Sequence, residues 1–171
     1  EALLKPRVTA AHDIRLLVVD VDGTLTDAGM YYDGRGEALK KFDTRDAKGM
    51  LMLSDAGVRE CVVTAETSAV VRARMRKLGI TDYFPGVKNK RAWLDEYAPQ
   101  FGVSLAEMAY IGDDVNDLSG LRVVGLSCCP ADAVPAVRRA VNYVCEAGAG
   151  AGAVREVCDL IRARLAPDSE G

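Results

Sequence analysis

Three largely apolar runs of the sequence are each followed directly by a short polar segment, and this pattern constrains the fold more than any other feature. The runs are IRLLVV at 14–19 before Asp20, VRECVV at 58–63 before Thr64, and MAYI at 108–111 before Gly112, Asp113 and Asp114. Apolar runs of this length suit strands that are buried on both faces, as in a parallel sheet. Because ligands bind beyond the carboxyl ends of such strands, we expect the polar residues to share one crevice.

Segments with helical periodicity separate these runs. They cover residues 47–56, 68–78, 90–101 and 117–122. Further strands are expected at 124–127 and 142–145, and further helices at 133–140 and 153–165. Alternating strands and helices favour right-handed βαβ units. The sequence therefore predicts an α/β fold, a Rossmann-like three-layer parallel sheet with helices on both faces.

The length of 171 residues suits one compact domain. We assign that domain to residues 14–165, with residues 1–13 as an N-terminal arm or linker and residues 166–171 as a C-terminal tail. Residues 30–40 (MYYDGRGEALK) predict a small β-hairpin insertion, too short to be a cap domain. The Gly/Ala-rich stretch at 147–153 is either a flexible linker or a segment of close backbone approach.

Charge and hydropathy exclude several classes of partner. The net charge is -3, and the 22 basic and 25 acidic residues are interspersed, so no basic face for nucleic acid is expected. No apolar run approaches the roughly 20 residues that span a bilayer, and the start lacks a signal-peptide pattern. We expect a cytoplasmic protein with no nucleic-acid or membrane partner. The five cysteines lack CxxC spacing and lie mostly in apolar segments, which indicates reduced core thiols.

Two groups of carboxylates follow predicted strands. Asp20 and Asp22 stand two residues apart, so one could attack a phosphoryl group while the other, protonated, gives its proton to the departing alcohol. Alone, this motif could also be a solvated turn. The second group is Asp113, Asp114 and Asp117. Clustered carboxylates repel unless a hard cation such as Mg²⁺ joins them, although capping of a helix is an alternative role for one of them.

Two further residues suit a phosphoryl group. Thr64 follows the second strand, where its hydroxyl could bind a phosphate oxygen. Lys90 opens a predicted helix, and its ammonium group could hold both the phosphoryl group and the nucleophile. In isolation, Thr64 would be an ordinary residue at a strand end and Lys90 a solvated surface lysine.

The ordered set DxDGT, threonine, lysine and GDDxxD resembles the haloacid dehalogenase superfamily over residues 14–165. The resemblance implies that Asp20 is the nucleophile and a Mg²⁺ ligand, and that Asp22 is the acid/base with its main-chain carbonyl on the metal. Asp113 would be a further ligand, while Thr64 and Lys90 would bind the phosphoryl group. It also implies that Asp117 and Asp114 lie behind these groups and hold them in place.

Finer motifs resemble the capless branch that hydrolyses 3-deoxy-octulosonate 8-phosphate or nine-carbon ulosonate 9-phosphates. These motifs are DVDGTLTDAGMYYD, KKFDTRDAKGM, YIGDDVNDL and AGAGAGAVRE. The resemblance implies a sugar-acid phosphate as substrate and a homotetramer in which neighbouring subunits close each active site. The branch also resembles the carboxyl-terminal module of CMP-sialic acid synthetases, so a non-catalytic tetramerisation module is an alternative function.

The substrate prediction depends chiefly on Glu66. Octulosonate phosphatases of this branch usually have arginine two residues after the motif threonine, whereas the nonulosonate type has glutamate, as here. Arg74 and Lys77 also fall where the nonulosonate type has basic residues facing its substrate. We therefore expect a nine-carbon 2-keto-3-deoxy-nonulosonate 9-phosphate as substrate, with 3-deoxy-octulosonate 8-phosphate as the alternative.

Overall fold

The first apolar run forms a strand near the middle of a parallel sheet. The computed structural model of the chain describes residues 14–165, so the predicted arm at 1–13 and tail at 166–171 lie outside the described residues. Six strands make this sheet: β1 (Leu16–Val19), β4 (Arg59–Val63), β5 (Tyr83–Phe84), β6 (Met108–Ile111), β7 (Leu126–Cys129) and β8 (Tyr143–Val144). Their order is β5-β4-β1-β6-β7-β8, and each neighbouring pair is parallel.

Six α-helices within residues 14–165 cover the two faces of the sheet. They are α1 (Thr44–Asp55), α2 (Ala69–Leu78), α3 (Lys90–Phe101), α4 (Leu118–Leu121), α5 (Pro135–Ala140) and α6 (Ala153–Leu165). Leu17 and Val19 of β1 pack in one core with residues of α1, α2 and α6. Leu16 and Val18 face the other core, which α3, α4 and α5 complete. The predicted three-layer α/β fold is therefore confirmed.

The predicted hairpin lies between β1 and α1. It consists of β2 (Tyr31–Asp33) and β3 (Gly36–Leu39), which pair antiparallel. The turn is at Gly34 and Arg35, within the predicted range of 30–40. Within residues 14–165, this hairpin is the only insertion that forms a separate sheet, which agrees with a fold that has no cap domain.

Several element boundaries differ from the sequence predictions. α1 begins at Thr44 rather than at residue 47, because the Asp43 side chain accepts the backbone N–H of Arg45 and caps the helix. β7 begins two residues later than expected. The two-residue β5 was missed, since so short a strand carries no alternating pattern.

The Gly/Ala-rich stretch at 147–153 is a segment of close backbone approach. The N–H of Gly150 donates to the carbonyl of Thr24 at 3.0 Å. A Cβ at Gly150 would lie 2.5 Å from the backbone nitrogen of Asp27, and its φ of +58° also favours glycine. Neighbouring Ala149 donates its N–H to Asp132 Oδ1 at 2.8 Å. The stretch therefore packs against the loop that follows β1, so the flexible-linker alternative is wrong.

Two smaller predictions concern the core and the bilayer. All five cysteines are buried free thiols, as expected. Among the described residues, no helix combines the length and the apolar character needed to cross a membrane.

Candidate active site

The loop after β1 brings Asp20 to the centre of the crevice. The backbone N–H of Asp20 donates to the carbonyl of Ile111, which joins the ends of β1 and β6. Gly23 then turns the chain with a φ of +81°. A Cβ on Gly23 would lie only 2.0 Å from Asp113 Oδ2, so a side chain here would displace that carboxylate. The glycine of the DxDG sequence thus leaves room for the carboxylates of Asp20 and Asp113 to lie side by side.

Lys90 lies between two of the acidic residues. It is the first residue of α3, whose start is capped by the Asn89 side chain. Only 1% of Lys90 is exposed, and its Nζ donates to Asp20 Oδ1 at 2.5 Å and to Asp117 Oδ1 at 2.8 Å. An ammonium group buried to this extent needs such partners, because its isolated charge would be strongly destabilising.

Asp117 is a fully engaged acceptor. Its Oδ1 accepts Lys90 Nζ and the Tyr110 hydroxyl, and its Oδ2 accepts the backbone N–H groups of Asp113 and Asp114. Four donors use about all the acceptor positions that a carboxylate offers. Asp117 therefore orients the residues around it, while Asp20 and Asp113 keep oxygens for a ligand.

Burial and mutual repulsion raise the pKa values of the Asp20 and Asp113 carboxyls. Burial raises the pKa of Asp20 to about 6, although Lys90 opposes this rise. Burial, followed by the charge of Asp20, raises the pKa of Asp113 to about 8. A nearby cation would reverse both shifts, since it favours the charged form of each carboxyl.

This arrangement fits Mg²⁺. Asp20, Asp113 and Asp117 each offer a carboxylate oxygen, and these oxygens lie within 4.8 Å of one another. Hard carboxylate oxygens are the ligands that Mg²⁺ prefers. Since Asp117 is occupied by four donors, Asp20 and Asp113 are the residues best able to hold the ion. The carboxylates of Asp20 and Asp113 lie close enough together to share one ion, and the main-chain carbonyl of Asp22 stays a predicted third ligand.

Asp22 has a partner that the sequence reasoning missed. Its Oδ1 lies 2.5 Å from the Nζ of Lys40, whose side chain is fully buried. Lys40 follows β3 and also contacts Glu37 Oε2 at 3.2 Å. Lys40 opens the motif KKFDTRDAKGM, but nothing in that motif indicates a contact with Asp22, because the contact joins a strand-end loop to the hairpin.

The open side of the cluster is a polar cleft of about 240 Å³. Its lining includes most of the predicted site residues, namely Asp20, Asp22, Thr64, Glu66, Asp113 and Asp114, together with Ala28, Met30, Ala65 and Asn116. Thr64 is 2% exposed, and its Oγ1 accepts the N–H of Glu66 at 3.3 Å. The cleft can therefore present a nucleophile, a hydroxyl and a metal site to one substrate.

Arg74 and Lys77 do not join this cleft within one chain. The Arg74 guanidinium lies 5.7 Å from the centre of the Phe42 ring, and Arg74 lines a separate small cavity with Phe42 and Met75. Lys77 is exposed on α2. The expectation that both face the substrate is therefore not met by the residues of a single subunit.

Tyr110 is a second residue that sequence reasoning missed. It lies within β6 and reads as one more core aromatic of the run MAYI. Its hydroxyl donates to Asp117 at 2.5 Å, and its burial raises the pKa of the phenol well above the usual value. The hydroxyl is thus a donor that holds Asp117 in place. A tyrosine in a strand that ends at GDD was the only available signal.

Comparison with known proteins identifies the family. The family model described as haloacid dehalogenase-like hydrolase matches residues 64–156. A 3-deoxy-D-manno-octulosonate 8-phosphate phosphatase of Haemophilus influenzae is 40% identical over 149 residues, which cover 87% of this chain and 83% of that protein. The chain belongs to the haloacid dehalogenase-like hydrolases. The family resemblance inferred from the sequence motifs is thereby confirmed.

Other haloacid dehalogenase-like relatives agree in sequence and fold. The Escherichia coli phosphatase of the same name is 36% identical over 154 residues, covering 90% of this chain and 82% of that protein. The Moraxella catarrhalis phosphatase was solved with a magnesium ion, a phosphate ion and KDO. Its structure has a TM-score of 0.88 and 33% identity and covers 92% of this chain and 90% of that one. The cobalt-bound Haemophilus influenzae structure also has a TM-score of 0.88, with 38% identity and 91% coverage of both chains.

Proposed function

We propose that this hydrolase is a Mg²⁺-dependent phosphatase of 2-keto-3-deoxy sugar-acid phosphates. The observation that carries the proposal is the buried contact of Lys90 with Asp20 and Asp117, beside the open carboxylate of Asp113. A nucleophilic carboxylate, a fixed cation and a metal site within one polar cleft suit the attack on a phosphate monoester.

The side chains divide the reaction between them. An Asp20 oxygen attacks phosphorus and forms an aspartyl phosphate, while the bond from phosphorus to the alcohol oxygen breaks. Protonated Asp22 gives its proton to that oxygen. In the second half, Asp22 takes a proton from the water that attacks phosphorus, inorganic phosphate leaves, and the Asp20 carboxylate is restored.

Lys90 and Thr64 stabilise the phosphoryl group during both halves. Lys90 already touches Asp20, so its ammonium group reaches the position where charge develops. The Thr64 hydroxyl can donate to a phosphoryl oxygen at the edge of the same cleft. Mg²⁺ held by Asp20, Asp113 and the Asp22 carbonyl would neutralise charge on the phosphoryl oxygens and allow the anionic nucleophile to approach. Asp117 and Asp114 would hold these metal and phosphoryl ligands in place.

The eight-carbon 3-deoxy-octulosonate 8-phosphate is the first candidate substrate. The Haemophilus influenzae and Escherichia coli relatives carry that activity in their names, and the chain aligns with at least 82% of each. The nine-carbon preference expected from the sequence has no such support. Relatives of about 40% identity share the catalytic groups more securely than the contacts that select a sugar.

A nine-carbon 9-phosphate remains a second candidate because of Glu66. This carboxylate lines the cleft, where an arginine was expected for the eight-carbon type. A carboxylate here favours hydroxyl donors of a polyol chain, whereas an arginine would pair with the carboxylate of the substrate.

Assay of the purified chain with both sugar-acid phosphates tests the proposal. We expect phosphate release with Mg²⁺ and none with EDTA, and a higher kcat/KM for the eight-carbon ester. Glu66→Arg should change the ratio of the two specificity constants about tenfold to hundredfold, in favour of the eight-carbon ester. An unchanged ratio would show that Glu66 does not select the substrate. A wild-type chain inactive on both esters, with Mg²⁺ present, would favour the non-catalytic tetramerisation module.

The proposed assembly is a homotetramer whose neighbouring subunits close each cleft. The hairpin supports this proposal, since it exposes Met30, Tyr31, Tyr32 and Leu39 at 41%, 59%, 68% and 62%. Large apolar side chains clustered on one small hairpin are typical of an interaction surface. A neighbouring subunit could also supply Arg74 or Lys77 to the cleft. Sedimentation at assay concentration should give the mass of four chains, and a fully active monomer would contradict the proposal.

A further inference from the structure

Lys40 is a buried lysine beside the reacting groups. Its side chain is 0% exposed, although it lies directly after the hairpin strand β3. Nζ is 2.5 Å from Asp22 Oδ1 and 3.2 Å from Glu37 Oε2. Removing an ammonium group from water costs several kcal/mol unless its partners compensate, so both contacts are needed to keep Lys40 in this position.

Glu37 connects Lys40 to a third part of the site. Its other oxygen, Oε1, accepts a hydrogen bond from the Ser68 hydroxyl. Ser68 is also the N-cap of α2, where its Oγ accepts the N–H of Val71 at 3.3 Å. One polar network therefore links Asp22, Lys40, Glu37 and Ser68. It joins the loop after β1, the hairpin and the start of α2.

This polar network determines which oxygen of Asp22 accepts a hydrogen bond. Lys40 contacts Oδ1, whereas the shielded Oδ2 has no hydrogen-bond partner among the described residues. Asp22 also lines the cleft. With Oδ1 held by a buried ammonium group and Oδ2 shielded by the surrounding residues, the carboxyl has little freedom to rotate at the edge of the cleft.

We propose that Lys40 is a positioning residue for Asp22, fixing its carboxyl at the edge of the cleft in the orientation that proton transfer to the leaving alcohol needs. The step is the first half-reaction: the bond from Asp20 to phosphorus forms, the bond from phosphorus to the alcohol oxygen breaks, and the Asp22 proton passes to that oxygen. Lys40 acts only through Asp22. The inference rests on the proposed phosphatase activity but not on which sugar is the substrate.

The test compares leaving groups. An alkyl phosphate needs a proton on its departing oxygen, whereas p-nitrophenyl phosphate releases a stable anion and needs little help. Lys40→Met should lower kcat/KM for the alkyl phosphate about tenfold to hundredfold and change that for p-nitrophenyl phosphate less than about threefold. The matched control is Lys41→Met, because Lys41 is exposed and adjacent. It should leave both constants unchanged.

Equal losses for the two esters, or no loss in Lys40→Met, would overturn the proposal, because a merely structural lysine would affect both reactions alike. If Lys40→Met does not fold, Glu37→Gln serves instead, since it weakens the contact that holds Lys40 and leaves the positive charge of Lys40 in place. Glu37→Gln should reduce only the alkyl phosphate reaction, by a few-fold, and a uniform loss would again overturn the proposal. Failure of the phosphatase proposal is a separate outcome, recognised by a wild type inactive on both esters.

Discussion

Replacing Lys90 by methionine removes the buried cation that Asp20 and Asp117 share and should be strongly destabilising. The variant keeps much of the apolar stem but leaves Asp20 and Asp117 without their shared partner. The two contacts measure 2.5 and 2.8 Å, and the three side chains are 7% exposed or less. Breaking a buried ion pair by deleting one partner costs about 3–5 kcal/mol.

Protonation of Asp20 limits this cost. Burial raises the pKa of Asp20 to about 6 even with Lys90 beside it, so loss of the lysine raises that pKa further and favours the neutral carboxyl. Asp117 keeps three hydrogen-bond donors after the substitution, from Tyr110 and from the backbone of Asp113 and Asp114. We therefore expect a loss near the lower limit, about 3 kcal/mol.

Urea unfolding at neutral pH with EDTA measures the effect as a change in the free energy of unfolding. Arg91→Met is the matched control, because Arg91 follows Lys90 but pairs with Asp95 at the surface, with side chains 44% and 50% exposed. Such a pair is worth about 0–1 kcal/mol. Adding Asp117→Asn to Lys90→Met should restore about 1–3 kcal/mol, as expected for residues in direct contact. A loss below about 1 kcal/mol for Lys90→Met would refute this account of the cluster.

Three further predictions concern the nucleophile, the metal and the fold. Asp20→Asn should abolish phosphate release while circular dichroism stays native, and near-normal turnover would exclude Asp20 as nucleophile. Because the pKa of Asp113 is about 8 without a cation, Mg²⁺ must displace its proton at lower pH. Calorimetry should show affinity rising up to about tenfold per pH unit from pH 6 to 8, and a constant affinity would contradict this. Gly150→Ala should cost about 1–3 kcal/mol in thermal or urea unfolding, because its Cβ would meet the backbone of Asp27 at 2.5 Å. Gly148→Ala, with only ordinary contacts from 3.5 Å, should cost less, and equal losses would disprove the steric argument.

The residues of the site that could be predicted are those attached to strand ends. Asp20, Thr64 and Asp113 follow apolar runs that are readable in the sequence, and parallel strands bring their carboxyl ends to one edge. The same reasoning gave the layers of the fold, because strands buried on both faces require helices on both sides. A site residue can be predicted from the local sequence when the strand before it is what places it in the crevice.

The residues that could not be predicted are positioned by contacts between distant segments. Lys40 reaches Asp22 across 18 residues, and Tyr110 has the appearance of a core aromatic. Asp46 shows the same effect at longer range, since its carboxylate accepts the N–H of Arg155, 109 residues away, at the start of α6. No periodicity encodes these pairs, because each partner sits in a locally ordinary context.

The formal charges of the buried cluster explain why Asp117 and Lys90 belong to a site that takes a divalent cation. Asp20, Asp113 and Asp117 carry three negative charges when ionised, and Lys90 offsets one of them. The remaining two equal the charge of a single Mg²⁺. Because Asp117 is committed to four donors, it fixes Lys90 against the nucleophile without competing for the ion. Without a cation, the cluster reduces its charge by protonating Asp113, so readiness to bind Mg²⁺ and readiness of Asp20 to attack as an anion depend on the same balance.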